Sequence, residues 1–566
     1  MYTELINKMN PKPKFNLKWY KDKDLYSDGE IEDIIIRLIA ENNVEEYVDA
    51  IYNHFSWPSF YHLTHVRQNI LNWYDFDENA EVLEIGCGLG AITNVLCEKC
   101  KNVTAVELSK RRATAALLRC RERENLEIIV GNLNDISFEK KFDYITLIGV
   151  LEYQGSYTNT DNPYMDFLKN IKKLLKPDGN LLIAIENKYG LKYWCGARED
   201  HTYVPFEGMN QYGITDKKVR TFSRKELEDL IKASGFKNSF FYYPLPDYKL
   251  PTVIYSQEYL PDNGKLQNMQ CYYVPDNTTL VADERNLYKD IIDNGVFEFF
   301  ANSFLVECTD GEIEKSQKVI FARISNIRSP EYCIGTRFMA NGKVEKFPIS
   351  DKVNAHISQI RENEKVLKKH GLNIWESTLA GNKLVSDYSK NIILENYFMG
   401  LCRERNVAGA MEVLDKWYEE IMMSSDEIGW EENILYTLGL QIEPDREKYG
   451  PILRTGYLDL MMSNAFYIEG KVYWFDQEWI LENVPAKFVL VRGLLDLYVG
   501  FHELEKILPL RTVKERFQLT EIWDDLLKLE ALFTNVVIDK KYLAEISSFS
   551  GGGRGVYVEN IKKIIS

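Results

Sequence analysis

Residues 80–245 alternate short apolar runs with amphipathic stretches, and this alternation limits the fold more than any other feature of the chain. The runs have the length of buried strands, and the stretches between them carry helical spacing. Such alternation predicts an α/β fold with an open, mostly parallel sheet covered by helices. The predicted elements are the strands EVLEIG (81–86), NVTAVEL (102–108), LEIIVGN (126–132), FDYITLIGV (142–150) and NLLIAIEN (180–187), and a helix over 222–236 with a capping box at Ser223 and Glu226.

Charge and apolar content limit the partners and the location of the chain. It carries 69 Lys and Arg against 85 Asp and Glu, a net charge of −16, which argues against nucleic acid as a partner. No run approaches the roughly 18 consecutive apolar residues of a membrane helix, so no transmembrane segment is predicted. The first residues lack an apolar signal region, and the nine cysteines fit reduced thiols. We therefore expect a cytoplasmic protein.

A turn-rich stretch divides the sequence into two halves. PLPDYKLP, LPDNGK and VPDNTT, all within 244–285, are rich in the residues of turns and linkers. Beyond them, FLVECTD, KVIFARIS, YCIGTRFM and KVEKFPI indicate an antiparallel meander, and helices are predicted over 351–370 and 409–424, so the second half is predicted as α+β. The predicted divisions are 1–56 (N-terminal segment), 57–261 (first domain), 262–285 (linker), 286–546 (second domain, with a first lobe to about 393 and a helical lobe after it) and 547–566 (tail).

A glycine-rich turn follows the first predicted strand. VLEIGCGLG places Glu84, Gly86, Gly88 and Gly90 where the strand passes into a helix. Glycines are needed where the backbone turns tightly and approaches a ligand closely. The second strand ends in Glu107, and an acid at that position can accept hydrogen bonds from both ribose hydroxyls of an adenosine-containing cofactor. The pattern therefore predicts a nucleotide-type ligand at this turn.

The same segment resembles the class I S-adenosylmethionine-dependent methyltransferases. Their cofactor signature is E/D-x-G-x-G-x-G followed by an acidic end of the second strand, whereas a dinucleotide fingerprint would read G-x-G-x-x-G. The resemblance implies a Rossmann-like fold for 57–261, with Gly86, Gly88 and Gly90 along the methionine part of the cofactor and Glu107 on the ribose. A nucleotide-binding domain of another class, or an inactive copy of the fold, stays open as an alternative.

Two further segments are candidates for the cofactor site. Asn132 to Asp135, after the third strand, could frame the adenine ring. The stretch WPSFYHLTHVRQNIL (57–71) resembles a segment that caps the cofactor, with Tyr61 and Arg67 as candidate residues. The alternative for this pair is a packed aromatic ring and a surface cation.

The loop IENKYGLKYWCGAREDHTYVPFEG (185–208) is the candidate acceptor site, because ligands of open α/β sheets bind beyond the carboxyl ends of the strands. Asp200 and His201 are the candidate catalytic residues. For a sugar hydroxyl, His201 could act as general base, since the pKa of histidine lies near working pH. For a phosphate no base is needed, and orientation by Arg198 would matter more. A surface turn without a role is the alternative. The amino-acid sequence of this loop resembles that of methyltransferases of bacterial surface-polysaccharide gene clusters.

A second chemical pattern lies in GYLDLMMSNAFYIEGKVYWFDQEW (456–479). Asp459, Asn464 and Asp476 have a spacing that suits phosphoryl transfer. In that chemistry Asp459 would orient the attacking hydroxyl, Asn464 would bind a metal ion, and Asp476 would bridge Mg²⁺ to the phosphates of ATP. This pattern resembles the kinase-like fold, in particular the small-molecule phosphotransferases.

The kinase resemblance implies further site residues. Lys346, on a predicted strand, would be the phosphate-pairing lysine, with Glu362 or Glu364 as its ion-pair partner. The segment IILENYFM (392–399) would be the strand between the lobes, where Glu395 to Tyr397 meet adenine. The sequence departs from the family in three features. The usual histidine before the catalytic aspartate is absent, no glycine-rich loop precedes Lys346, and the metal loop reads Asp-Gln-Glu. An inactive kinase-like module, or a chance match, therefore stays open.

Together the halves resemble the bifunctional methyltransferase–kinase that terminates O-antigen polysaccharides. The resemblance implies an ATP-dependent sugar kinase that creates the phosphate to be methylated. It also implies a glycan or lipid-linked saccharide as acceptor, a glycosyltransferase as partner enzyme, and a peripheral position at the inner membrane face through partners. The alternative is a methyltransferase alone, whose kinase-like module binds a glycan or a partner.

Overall fold

The computed structural model describes residues 2–24, 29–262, 266, 269–274, 276–313, 317–437, 446–549 and 554–565. The chain divides into two compact units. The first comprises Met1–Asn326, Met339–Asn341 and Lys540–Ser566, and the second comprises Ile327–Phe338 and Gly342–Asp539. Within the described residues, every helix is too short or too polar to cross a lipid bilayer.

The first unit is built around a mixed sheet. Its order is β1-β4-β3-β2-β5-β6-β9-β7-β8-β10. The strands from β1 to β6 run parallel, whereas β9, β7, β8 and β10 pair antiparallel. The strands are β1 (Lys14–Asn16), β2 (Glu81–Ile85), β3 (Asn102–Glu107), β4 (Leu126–Val130), β5 (Phe142–Ile148), β6 (Leu175–Glu186), β7 (Asn238–Leu245), β8 (Val253–Ser256), β9 (Ser303–Thr309) and β10 (Val319–Ile324).

The helices of the first unit cover this sheet. Their apolar faces bury residues at helical spacing, such as Leu227 and Ile231 on one helix. The α-helices are Tyr2–Met9, Ile31–Glu41, Tyr47–Asn53, Trp57–Leu63, Asn69–Asn72, Ala91–Lys99, Lys110–Arg119, Gln154–Tyr157, Pro163–Leu174, Leu191–Trp194, Arg224–Ala233, Tyr288–Asp293, Phe297–Phe300, Lys540–Ser548 and Arg554–Ile565. Short 3₁₀ helices lie at Val44–Glu46, His65–Gln68, Leu133–Asp135, Leu151–Tyr153 and Glu284–Asn286.

The five predicted strands of 80–187 are confirmed, and so is the capping box. The Ser223 hydroxyl accepts a hydrogen bond from the Glu226 N–H, and the Glu226 carboxylate accepts one from the Ser223 N–H. Parallel strands buried on both faces read as continuous apolar runs, and a capping box depends on local spacing. Both signals can therefore be read without knowing the tertiary structure.

The predicted domain boundary at 262–285 is wrong. β9, which was predicted in the second domain, lies between β6 and β7 of the first sheet, and all its residues are buried. A strand buried on both faces needs neighbours on both sides, and the first sheet provides them. Part of the predicted linker is also core, since Tyr272 and Tyr273 are buried and the Tyr273 hydroxyl donates to Glu284 at 2.9 Å. Turn-rich composition here marks turns within one unit and not a boundary between units.

The second unit contains a four-stranded antiparallel set, a three-stranded sheet and a hairpin. The set has the order β11-β12-β14-β13, the sheet β15-β16-β19, and the hairpin β17-β18. The strands are β11 (Ile334–Met339), β12 (Lys343–Pro348), β13 (Thr378–Ala380), β14 (Lys383–Asp387), β15 (Glu427–Ile428), β16 (Ile452–Tyr457), β17 (Ala465–Ile468), β18 (Lys471–Trp474) and β19 (Ile480–Pro485).

The helices of the second unit pack around a separate apolar core that includes Trp417, Trp474 and Leu490. Its α-helices are Asn354–Lys369, Leu394–Arg403, Val407–Met423, Ile434–Thr437, Arg446–Tyr449, Ala486–Gly500, Leu504–Ile507, Leu510–Arg516 and Trp523–Val537. Its 3₁₀ helices are Pro330–Tyr332, Asp351–Val353, Trp430–Glu432 and Met462–Asn464.

The predicted strand at 392–399 is wrong, because Leu394–Arg403 is a helix. Its buried residues are Leu394, Phe398, Met399 and Cys402, a spacing that places them on one helical face. The role given to Glu395 and Tyr397, which needed extended backbone between two lobes, therefore lacks its structural basis.

Candidate functional site

A cavity of about 740 Å³ lies at the carboxyl ends of the parallel strands of the first unit. Its wall includes Gly86 after β2, Glu107 at the end of β3, Gly131 after β4 and Gly149 after β5. Parallel strands direct their carboxyl ends to one edge of the sheet, and loops there form the ligand site of α/β folds. The sheet topology therefore brings together residues that are far apart in the sequence.

The glycine turn has the geometry that requires glycine. Gly86 and Gly90 have φ of +76° and +82°. A Cβ on Gly86 would lie 2.5 Å from Val150 Cγ2, and one on Gly90 would lie 2.8 Å from Ala116 Cα. Gly88 has φ of +53° but has no neighbouring atom within 4 Å of a built Cβ. The outer two glycines thus allow the backbone to pack, whereas Gly88 borders open space.

Two acidic side chains flank this turn, as the sequence predicts. Glu107 accepts hydrogen bonds from the N–H of Gly88 at 2.9 Å and of Ser109 at 3.0 Å, which fixes its carboxylate at the cavity wall. Glu84 is buried, and its Oε2 has no hydrogen-bond partner. Burial raises the pKa of Glu84 to about 7. An orphaned buried oxygen marks a site that a donor group of a ligand would satisfy.

Tyr61 and Arg67 lie at the site, but Arg67 is not a surface cation. Its guanidinium is buried, donates to the carbonyl oxygen of Lys249 at 3.2 Å and lies 4.8 Å from the centre of the Tyr61 ring. Tyr61 lines the main cavity. The Arg67 side chain therefore holds this wall in place. Tyr61 and Arg67 also line a smaller cavity of about 90 Å³, whose wall includes Glu84 and Gly88.

The structure separates Asn132 from Asp135. Asn132 lines the cavity and caps the short helix after it by accepting from the Asn134 N–H at 3.0 Å. The Asp135 carboxylate instead pairs with Lys21 at 2.6 Å and is not among the residues that line the cavity. An adenine contact is therefore geometrically open to Asn132 but not to the Asp135 side chain.

The other end of the cavity is strongly charged. Glu152, Glu186, Asp200, His201 and Lys249 all line it. Asp200 pairs with Lys249 at 2.6 Å and also with Lys192, and although burial opposes ionisation these ammonium groups hold its pKa well below the usual value. Asp200 is therefore an anchor for two lysines, with its oxygens already engaged.

His201 is surrounded by carboxylates. Its Nδ1 lies 2.8 Å from Glu199 Oε1, and its Nε2 lies 3.6 Å from Glu152 Oε1 and 3.9 Å from Glu186 Oε2. Burial alone would lower the pKa of His201, but these carboxylates raise it well above its ordinary value. The carboxylates thus favour the imidazolium form, and His201 would have to lose a proton before it could act as the general base proposed from the sequence.

Sequence reasoning missed Glu152, Glu186 and Lys249. Glu152 and Glu186 stand at the carboxyl ends of β5 and β6, and that position was the signal that could have identified them. Lys249 comes from the stretch assigned to turn chemistry and gave no signal. Arg198, in contrast, pairs with Asp276 at 3.4 Å and is not among the residues that line the cavity.

Comparison with known proteins identifies the fold of this region. A protein-family model described as a methyltransferase domain matches residues 59–239. These residues form a class I S-adenosylmethionine-dependent methyltransferase domain. Their order of parallel strands, the glycine turn and the acidic end of β3 agree with that match.

Individual relatives cover only parts of the chain. The malonyl-[acyl-carrier protein] O-methyltransferase of Priestia megaterium is 31% identical over 124 residues, which are 22% of this chain and 42% of that protein. A ubiquinone biosynthesis O-methyltransferase of Rickettsia bellii is 24% identical and covers 24% of this chain and 53% of that one. This chain thus spans about half the length of these curated relatives. A solved S-adenosylmethionine-dependent methyltransferase of Thermotoga maritima is 17% identical, with a TM-score of 0.28, over 50% of this chain and all of that one.

The site of the methyltransferase domain fits its cofactor. The orphaned Glu84 oxygen can accept from the cofactor's ammonium, and the fixed Glu107 carboxylate has lone pairs left for ribose hydroxyls. The open space beside Gly88 admits the methionine part without a clash with neighbouring side chains. Two of the predicted cofactor residues have side chains engaged with other partners, Asp135 with Lys21 and Arg67 with the backbone carbonyl groups of Tyr248 and Lys249.

In the second unit, Lys346 has a different ion-pair partner from the predicted one. Its Nζ contacts the carboxylates of Asp476 and Glu478, the latter at 2.7 Å. The predicted partner Glu364 instead accepts from the Ser377 hydroxyl at 2.8 Å, and Glu362 pairs with Lys365 at the surface. Lys346 therefore pairs with carboxylates, as predicted, but not with the predicted glutamates. The loop after β18 lies nearer to Lys346 than the helix Asn354–Lys369 does.

Asp459 lies beside this ion cluster. Its Oδ2 accepts from the N–H of Glu478 at 2.9 Å and of Trp479 at 3.1 Å, and burial, followed by the charge of Glu478, raises its pKa to about 7. The Asn464 amide donates weakly to the Asp459 carbonyl at 3.4 Å. Asp476 has φ of +59°, a strained backbone for a residue other than glycine. The predicted residues of this loop are therefore close together.

Glu395 and Tyr397 have surroundings of their own. Burial raises the pKa of Glu395 to about 7, and the Tyr397 ring stacks on Tyr467 with centroids 4.0 Å apart. Both belong to the helix that replaces the predicted strand. The carboxylate partners of Lys346 are Asp476 and Glu478 and do not include Glu395.

Proposed function

We propose that the first unit transfers a methyl group from S-adenosylmethionine to an oxygen of a polar acceptor, a glycan or its phosphate. The observation that carries the proposal is the cavity that joins the glycine turn, Glu107 and the orphaned Glu84 oxygen to a charged acceptor end. Oxygen as the methylated atom is supported by relatives named as O-methyltransferases.

The residues of the chain would act mainly by alignment. When bound, S-adenosylmethionine supplies a methyl group on a positively charged sulfonium. Glu84 and Glu107 would hold its ammonium and ribose. In the transfer, the bond between the methyl group and the acceptor oxygen would form as the methyl–sulfur bond breaks, with S-adenosylhomocysteine as the leaving group. A phosphate oxygen has no proton to lose, whereas the proton of a hydroxyl acceptor would pass to water. The step requires the acceptor oxygen in line with the methyl group, and correct orientation alone can contribute much of the rate enhancement. The acceptor end would provide this orientation through His201, Lys249 and the nearby carboxylates.

The glycan assignment is supported by the polar lining of the acceptor end. Carboxylates, ammonium groups and the Tyr153 and Tyr203 rings offer donors, acceptors and flat faces for a hydroxyl-rich ligand. Together with the resemblance of the 185–208 loop, this favours a role in bacterial surface-polysaccharide synthesis. A lipid-linked saccharide and a partner glycosyltransferase at the inner face of the membrane belong to the same proposal.

The test is methyl transfer from radiolabelled S-adenosylmethionine to oligosaccharides with and without a terminal phosphate. We expect label on a glycan that is stable to protease and lost after acid hydrolysis of the sugar. Phosphatase treatment of the acceptor separates methylation of phosphate from methylation of a hydroxyl. Labelling of protein or lipid alone, with no labelled glycan, would contradict the acceptor assignment.

As a second candidate function, we propose that the second unit binds ATP with Mg²⁺ and phosphorylates the glycan that is then methylated. The supporting observation is the contact of Lys346, on β12, with Asp476, and the position of Asp459 beside them. The helix at Leu394–Arg403 weakens the kinase likeness at its predicted adenine site. A module that binds a glycan or partner without catalysis is the alternative.

Thermal-shift titration of the intact protein separates these readings, since a ligand of the native state raises apparent stability. We expect ATP with Mg²⁺ to stabilise the wild type but not the Asp476→Ala variant. If S-adenosylmethionine stabilises both proteins and ATP with Mg²⁺ stabilises neither, the second unit is a non-catalytic module and the methyltransferase proposal stands alone.

A further inference from the structure

Three side chains at the acceptor end of the cavity have the composition and spacing of a metal site. One ligand atom each from Glu152, Glu186 and His201 lie within 4.8 Å of one another. The separations from His201 Nε2, 3.6 and 3.9 Å, are below the roughly 4.2 Å that two ligands can span across an ion with bonds of about 2.1 Å. The third pair, Glu152 and Glu186, lies within 4.8 Å, so a small shift of these side chains would let a single ion contact all three.

The carboxylates have oxygens available for such an ion. Glu186 Oε1 is engaged by Lys249 and by the Tyr248 hydroxyl at 3.2 Å, while its Oε2 has no hydrogen-bond partner. Glu152 Oε2 also has no hydrogen-bond partner. Both residues are about 1% exposed or less. Leaving two carboxylate oxygens buried and unsatisfied is costly, and a cation in the cavity would satisfy them.

The histidine is held in the orientation that metal ligation requires. Glu199 accepts from its Nδ1 at 2.8 Å and also binds the backbone N–H groups of His201 at 2.9 Å and Thr202 at 2.7 Å. The Tyr153 ring packs edge-on against the imidazole. A carboxylate on one ring nitrogen, with the other directed to the ligand set, is the usual outer-shell arrangement of metal-bound histidines. A cation bound at Nε2 would displace the proton that the surrounding carboxylates favour in its absence.

We propose that Glu152, Glu186 and His201 bind a divalent cation, with Glu199 as the residue that orients His201. Two carboxylates and one imidazole suit Mn²⁺, Mg²⁺ or Zn²⁺ rather than a soft thiolate-bound metal. Three protein ligands leave coordination positions open toward the cavity. If the proposed methyl transfer holds, the acceptor oxygen would take one of them, which lowers the pKa of a hydroxyl acceptor and fixes its position. Only this role rests on the proposed function; the binding site itself does not.

The test is Mn²⁺ binding followed by electron paramagnetic resonance of the full chain. The parent protein carries Asp476→Ala, which removes one of the two proposed metal ligands of the second unit, Asn464 being the other. We expect one bound Mn²⁺ per chain, at least tenfold weaker binding in Glu152→Gln and Glu186→Gln, and about 10–100-fold weaker binding in Glu199→Gln. Glu98→Gln, a surface carboxylate paired with Arg123, is the matched control and should bind like the parent.

Calorimetry with S-adenosylmethionine on the same samples separates the two proposals and confirms folding of each variant. Cofactor binding without Mn²⁺ binding in the parent would overturn the metal site and leave the methyltransferase proposal intact. Mn²⁺ binding that is equal in parent, Glu152→Gln and Glu186→Gln would also overturn it, because the ion would then lie elsewhere. Mn²⁺ binding with the expected losses but no cofactor binding would support the metal site and overturn the proposed function.

Discussion

The cavity of the methyltransferase domain and the Lys346 cluster of the second unit both gather buried acids and bases, but they satisfy them differently. In the cavity, Glu84, Glu152 and Glu186 each keep an oxygen without a hydrogen-bond partner. Around Lys346, Asp476 Oδ1 is also buried without a hydrogen-bond partner, but it forms an ion pair with the Lys346 ammonium group, which Glu478 shares, and Glu478 also binds Arg328. Unsatisfied groups beside a cavity indicate a ligand, whereas mutually paired charges can also serve structure alone.

The two regions also differ in the support for their proposed functions. The methyltransferase match rests on residues 59–239 and on a site whose groups are directed into open space. The kinase likeness rests on a few residues that are close together, with an unpredicted helix beside them. The predictions below are ordered by expected effect and test this contrast.

The largest effect is expected from Gly88→Leu. Its backbone is left-handed and its side chain would enter the space proposed for the cofactor, so binding of S-adenosylmethionine should weaken roughly a hundredfold or more by calorimetry. Gly381→Leu is the matched control, since Gly381 also has positive φ and no atom within 4 Å of a built Cβ. Equal cofactor affinity in Gly88→Leu and wild type would remove the glycine turn from the site.

Asp476→Ala should abolish phosphorylation of a glycan acceptor, by roughly a hundredfold or more, if the second unit is a kinase. Methyl transfer to an acceptor that is already phosphorylated should remain, since Asp476 belongs to the second unit. Asp387→Asn, which alters a surface carboxylate paired with Lys343, is the control. Phosphorylation at the wild-type rate in Asp476→Ala would show that the metal assignment is wrong.

Glu84→Gln should change the pH dependence of stability. Burial raises the pKa of Glu84 from 4.5 to about 7, so the folded state keeps a proton that the unfolded chain has released in this window. The stability contributed by this group is therefore present at low pH and falls as pH rises. Glutamine does not titrate, so the free energy of unfolding of the variant should rise relative to that of the wild type by up to about 3 kcal/mol as the pH increases from roughly 4 to 8.

Urea unfolding without cofactor, at several pH values, measures this difference. Saturating S-adenosylmethionine should reduce this difference in unfolding free energy between variant and wild type, because an ammonium group beside Glu84 stabilises the charged carboxylate. A constant difference between variant and wild type across the pH range would mean that Glu84 keeps an ordinary pKa in the folded chain.

The smallest effect is expected from Ser223→Ala, which removes one half of the capping box of the helix Arg224–Ala233. Loss of an N-cap hydroxyl costs about 1 kcal/mol. The amides of this helix should therefore exchange faster, with a lower free energy of opening. Lys225→Ala, at an exposed position of the same helix, should change that free energy by less than about 0.5 kcal/mol. Unchanged exchange in Ser223→Ala would contradict the capping role.

The amino-acid sequence by itself determined the parallel half of the first sheet and the glycine turn. Apolar runs such as 142–148 are buried on both faces wherever they are placed, and Gly86 and Gly90 are required by local backbone geometry. The acid at Glu107 could be predicted as well, because the end of a strand is a local property. These features depend on residues that are near each other in the chain.

Only the tertiary structure decided the rest. β9 joins the first sheet from 117 residues beyond the end of β6, counted from Glu186 to Ser303, and no local pattern shows which sheet a buried strand enters. His201 has a raised pKa because Glu186, at the end of β6, and Glu152, in the 3₁₀ helix after β5, lie near it together with its sequence neighbour Glu199. Lys346 pairs with Asp476 and Glu478 rather than with the predicted glutamates for the same reason. Charges interact through space, so their partners and pKa values follow from the fold and not from sequence separation.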